Sequence, residues 1–105
     1  MDFMDSELFE ARADARPRSP AARAMYQMAA RRGVYGPYNI ATHIRKRRGE
    51  GPTGPTFSMI FNGQYRKPSP DTLRAFAEGF DLFPEELWRL AYVVAFQEEP
   101  PEGLR

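Results

Sequence analysis

The sequence predicts an all-α domain built from five short helices. A length of 105 residues allows one modest core and no second domain. Ten prolines and eight glycines impose many breaks, so the elements between them are short. After each break, apolar residues recur at helical spacing behind a proline or a capping residue.

Residues 1–18 read as an acidic arm in which Ser6 is placed to cap a short extra helix from Glu7 to Ala15, with Phe3, Leu8 and Phe9 free to dock on the body. RPRSP ends it. Ser19-Pro20 then opens the first helix of the body, which runs to a stop at Gly33 with Met25, Met28 and Ala29 facing the core. Pro37 opens the second, with Ile40, Ala41 and Ile44 on its apolar face and HIRKRRG on its far side. After the Gly/Pro-rich GEGPTGP, Thr53 or Gly54 relaunches a third helix with Pro55 in its first turn and Phe57, Ile60 and Phe61 inward; Asn62-Gly63 ends it. Ser69-Pro70-Asp71 opens the fourth, where Leu73, Phe76, Ala77 and Phe80 give the cleanest amphipathic pattern in the chain. The fifth runs from Pro84-Glu85-Glu86 to about Gln97. Its apolar set Leu87, Leu90, Ala91 and Val94 is joined by Trp88, Tyr92, Val93, Ala95 and Phe96, more than one packed face requires. The surplus predicts a second partner, either the N-terminal arm or another copy of the chain, and for a second copy Trp88, Tyr92, Val93 and Phe96 are the expected dimer interface. Residues 98–105 read as a polar tail.

With no cysteine and one histidine, His43, the chain offers no thiolate site and no histidine pair, so no metal and no cofactor are expected. No phosphate-cradling glycine loop and no carboxylate pair in an apolar setting accompanies them, so an enzyme is not expected. No apolar run reaches membrane-spanning length and the start is acidic, which predicts a cytoplasmic protein. The net charge of +1 conceals a strong polarity along the chain: −4 over residues 1–15, +10 over 16–67 and −5 over 68–105. A central basic block of that size is the footprint of a polyanion binder, although arginines that merely solvate helix faces would give it too.

Phe57-Ser58-Met59-Ile60-Phe61-Asn62-Gly63, then Pro68-Ser69, then Leu73 and Ala77, together with Ile40-Ala41 in the second helix, resemble the Cro/C1 (XRE) helix-turn-helix family over roughly residues 20–97. One departure stands out. Ala41 lies ten residues before Gly51, about six more than that family's pattern, an addition of approximately RKRRGE. EspR-type nucleoid regulators look similar in having a lengthened second helix.

The resemblance implies a DNA-binding transcriptional regulator, a repressor associated with the nucleoid, acting on double-stranded DNA; the apolar surplus of the last helix adds the expectation of a homodimer. The third helix would lie in the major groove, with Thr53, Thr56, Ser58 and Met59 near base edges. Arg45, Lys46, Arg47, Arg48, Asn62, Gln64, Tyr65, Arg66 and Lys67 would hold phosphates and fix register. Five or so such contacts imply a log-log salt slope steeper than about −4. Two other functions fit the same residues: nonspecific coating of the nucleoid, favoured by weak base readers and the basic insertion, and an antitoxin or partner-docking module acting through the apolar last helix.

Overall fold

The computed structural model describes residues 17–102, and among them the chain is all-helical. The five helices are α1 (Pro20–Ala30), α2 (Pro37–Arg48), α3 (Gly54–Phe61), α4 (Pro70–Gly79) and α5 (Pro84–Phe96). The expected helix over Glu7–Ala15 lies outside the described residues.

Each helix carries proline in its first turn, where the missing N–H costs nothing and the fixed φ suits helix entry. Ser19, Thr53 and Ser69 cap α1, α3 and α4, their hydroxyls accepting from the N–H of Ala22, Thr56 and Thr72. At its end α1 tightens: Gly33 N–H donates to Ala30 and Val34 N–H to Ala29, so the regular helix stops a turn before the glycine that reverses the chain. The same pair of bonds closes α3, from Gly63 to Ile60 and from Gln64 to Met59, with Gly63 at φ 92°.

The core joins Met25, Met28 and Ala29 of α1, Ile40, Ala41 and Ile44 of α2, Phe57, Ile60 and Phe61 of α3, Phe76 and Phe80 at α4, and Leu90 and Val93 of α5. All of these positions but Val93 fall on the faces that helical spacing predicts to be inward. Here the fifth helix needs correction. Leu87 and Ala91 are exposed while Val93 is fully buried, so Val93 belongs to the core and is removed from the expected dimer surface. Because α5 is apolar nearly all round, spacing alone left its inward face open; the buried face is the one that carries Glu86, Leu90 and Val93.

The link from α2 to α3 doubles back. A Cβ on Gly51 would stand 2.8 Å from Ile44 Cγ2, and one on Gly54 would overlap the Tyr38 ring. From Arg48 the chain therefore retraces α2 toward its start, so the added residues form a projecting end of α2 and a returning strap. Ile44 is enclosed from the other side by Gly79 of α4, where a Cβ would stand 2.7 Å from its Cγ1. The tail is not free either: Pro100 is buried and the Glu99 carboxylate accepts from Arg89 at 2.9 and 3.0 Å.

Candidate nucleic-acid interface

α3 has only eight residues, about 12 Å of helix. Its inner side is spent on Phe57, Ile60 and Phe61, which leaves Pro55, Thr56, Ser58, Met59 and Asn62 toward its outer surface. Thr53 and Thr56 are engaged with each other: the Thr53 hydroxyl accepts from Thr56 N–H at 3.4 Å, and the two hydroxyl oxygens lie 3.2 Å apart. Thr53 is thus the helix cap first, and its hydroxyl is already committed. Ser58 differs, since its half-buried hydroxyl has no protein partner among the described residues. Met59, also half-buried, adds an apolar contact beside it.

Beyond α3 the chain turns outward over residues 62–67. The Asn62 side-chain oxygen accepts from Gln64 N–H at 3.0 Å, and Tyr65 N–H donates to Met59 O at 3.2 Å. Gln64, Tyr65, Arg66 and Lys67 are exposed, and buried Pro68 anchors the exit. The Gln97 amide at the end of α5 donates to Arg66 O at 3.2 Å. The loop that carries these cations is therefore held at both ends and in its middle.

The four cations at the end of α2 divide in two. Arg47 pairs with Asp81, and Arg48 donates to Glu78 Oε1 at 2.9 Å, both carboxylates standing at the C-terminal end of α4. In this structure these side chains fasten the projecting end of α2 to α4. Arg45 and Lys46 are exposed and make no ion pair among the described residues. Two groups of available cations thus remain, Arg45 with Lys46 and Arg66 with Lys67.

Tyr38 was not among the expected site residues. It is 59% exposed, with its ring packed against Gly54 at the start of α3. A glycine inside the first turn of a helix was the available signal, since it marks a close approach by some other group. His43 stacks on Phe80 with ring centroids 4.4 Å apart, a packing role. No cluster of three or more His, Asp or Glu able to hold a metal occurs among the described residues. None of the described helices is long and apolar enough to cross a membrane.

The strongest electrostatic constellation lies elsewhere. Glu86, buried at the start of α5, accepts from Arg32 at 2.7 and 3.0 Å, from Arg31 at 3.3 Å and from the Phe83 N–H at 2.8 Å. The Arg32 hydrogen bond holds its carboxyl below the usual carboxylate range against the opposing effect of burial, and the same bond raises the Arg32 guanidinium. This cluster staples α5 to α1.

On the outer side of α5, Trp88, Tyr92 and Phe96 form a ladder with centroid separations of 5.6 and 4.6 Å. Trp88 is 41% exposed and Phe96 61%. On its other flank, Leu87 and Ala91 line a shallow groove of about 320 Å³ with Leu73 and Ala77 of α4. The chain matches no family model, no curated protein and no solved structure.

Proposed function

We propose that this chain is a DNA-binding transcriptional regulator of the Cro/C1 helix-turn-helix type, which presents the outer side of α3 to the major groove. The observation that carries the reading is the pairing of an unbonded hydroxyl on a short outward helix, Ser58, with an exposed and braced cationic loop, Gln64 to Lys67, directly after it. Ser58 and Met59 are the residues to read base edges, a hydroxyl that donates or accepts beside a methyl suited to thymine. Thr56 and Thr53 contribute less, since each hydroxyl already serves the other. Arg66 and Lys67, with Asn62, Gln64 and Tyr65, hold phosphates and so fix position without reading sequence. Arg45 and Lys46 extend that hold. With Arg47 and Arg48 engaged by carboxylates, four cations remain, and the log-log salt slope expected when nothing else competes for them is about −3.6.

Two sets of variants separate the roles. Arg66→Ala with Lys67→Ala weakens binding to all duplexes by a similar factor and makes the salt slope shallower by about 2. Ser58→Ala changes preference by about 1–3 kcal/mol at one base pair and leaves the slope alone. Selection of bound fragments from random duplex DNA followed by titration of each variant reads both quantities. If the Ser58 variant and the double variant act alike on cognate and random DNA, the chain coats DNA and reads no sequence.

The exposed ladder on α5 supports a homodimer through Trp88, Tyr92 and Phe96, without Val93. A two-fold pair of α3 helices would then address half-sites about 34 Å apart. Sedimentation at high micromolar concentration is expected to give a dimer that Trp88→Ser with Phe96→Ser returns to monomer. A wild-type monomer under those conditions removes the dimer and leaves the ladder to a different protein partner.

A further inference from the structure

The chain leaves α5 at Gln97 in a left-handed conformation, φ 57° and ψ 32°, that side-chain-bearing residues rarely adopt. The Gln97 backbone N–H donates to Val93 O at 2.9 Å. Its side-chain Nε2 donates twice, to Val94 O at 3.0 Å in the same turn and to Arg66 O at 3.2 Å in the cationic loop. The Oε1 of the same amide is buried and accepts from nothing among the described residues. A strained backbone and an orphaned acceptor thus oppose an arrangement that the two amide bonds favour, terms of comparable size. Gln97 also follows directly on Phe96, the most exposed rung of the aromatic ladder, whose ring touches Tyr92 and is otherwise open at 61%. One turn of helix therefore joins the ladder on one side to the phosphate-holding loop on the other.

We propose that Gln97 is a positioning residue that couples the ladder to the loop. A second copy covering Phe96 holds the last turn of α5, the Gln97 amide then keeps Arg66 O in place, and Arg66 with Lys67 meets phosphate already ordered. The second copy and the effect on DNA rest on the function proposed above; the amide brace does not. Helix ends fray where packing is thin, and a largely exposed Phe96 gives the end of α5 little packing until it is covered. Covering it shifts the population toward the braced loop. Ordering completed before DNA arrives no longer subtracts from binding. Linkage makes the effect reciprocal, so that duplex held at the loop also tightens association through the ladder.

Gln97→Gly and Gln97→Asn in the full chain test it. Both residues enter the left-handed region more readily than glutamine, while glycine has no amide and that of asparagine is one methylene short of Arg66 O. The unfolding midpoint is therefore expected to hold; a lowered midpoint that accounts for the loss of loop order overturns the positioning role. Without DNA, relaxation order parameters of the Gln64–Lys67 amides are expected to fall from about 0.85 in the wild-type dimer to below about 0.6 in both variants. They are expected to fall likewise when Trp88→Ser with Phe96→Ser gives the monomer. Unchanged order in Gln97→Gly overturns the brace, and equal order in wild type and the double-serine chain overturns the coupling. A 10-base-pair duplex, too short for two subunits, then reads the effect on binding. Gln97→Gly is expected to bind it about fivefold more weakly at unchanged salt slope, as for a loop competent about one-fifth of the time, and to lose nothing further in the double-serine background. Additive losses overturn the coupling. If the order parameters fall as expected while no chain binds duplex, the brace and its coupling stand and the DNA reading is what fails.

Discussion

Glu86→Ala is expected to lower the unfolding free energy by about 3 kcal/mol, measured as a fall in the urea midpoint at unchanged slope. The substitution strips Arg32 of its partner where that side chain is largely covered, and releases Arg31 and the Phe83 N–H as well. A half-buried guanidinium left unpaired accounts for most of the cost; the lost N-terminal cap of α5 adds about 1 kcal/mol at most. The acid side of the stability profile carries the same signature. Because the native Glu86 carboxyl titrates below its unfolded value, its contribution is complete above the ordinary carboxylate range near 4.3. It is lost as pH falls through the lowered native value. Glu86→Gln should therefore flatten that part of the acid limb, and an unchanged limb would show that the staple contributes no net stability.

Gly79→Val is expected to cost about 2–3 kcal/mol by overpacking, although valine outside this site would favour a helix more than glycine does. The new Cβ would sit 2.7 Å from Ile44 Cγ1 and 3.1 Å from Ile44 Cα, and a backbone atom cannot swing aside. Ile44 is trapped between Gly79 and Gly51, so α2 itself must move off α4. Gly54→Ala provides the contrast. There the neighbour is the exposed Tyr38 ring, which can rotate away, and the expected loss in the urea midpoint is smaller.

Much of this fold was legible because its signals are local. Pro20, Pro37, Pro55, Pro70 and Pro84 mark the five starts, Ser19, Thr53 and Ser69 supply caps within three residues of the groups they bind, and the core faces of α1 to α3 follow from spacing. At α4, Phe76 and Phe80 are buried as spacing predicts, but Leu73 and Ala77 are only half-buried, and Thr72, Ala75 and Gly79 complete the inner face. What local pattern misses is pairing across the chain. Glu86 stands in the opening Pro84-Glu85-Glu86 of the fifth helix, and its partners Arg31 and Arg32 lie more than fifty residues earlier. Arg47 and Arg48 looked like part of a uniform basic patch until Asp81 and Glu78 came into contact with them. Val93 was misplaced for a different reason: a helix apolar on every side carries no periodic signal of which side is buried. At the candidate interface, the residue types of α3 and its loop were readable, while the prior commitment of Thr53 and Thr56 to each other and the nearness of Tyr38 were not.

The central claim is that the tip of α3 and its cationic loop meet duplex DNA. Amide mapping of the isotope-labelled full chain, titrated with a 20-base-pair duplex at low ionic strength, tests it most directly. The account predicts the largest shifts at Ser58, Met59 and Asn62–Lys67, smaller ones at Arg45 and Lys46, and little change at Arg47 and Arg48. Absence of a complex, or shifts confined to the aromatic ladder of α5, would contradict it.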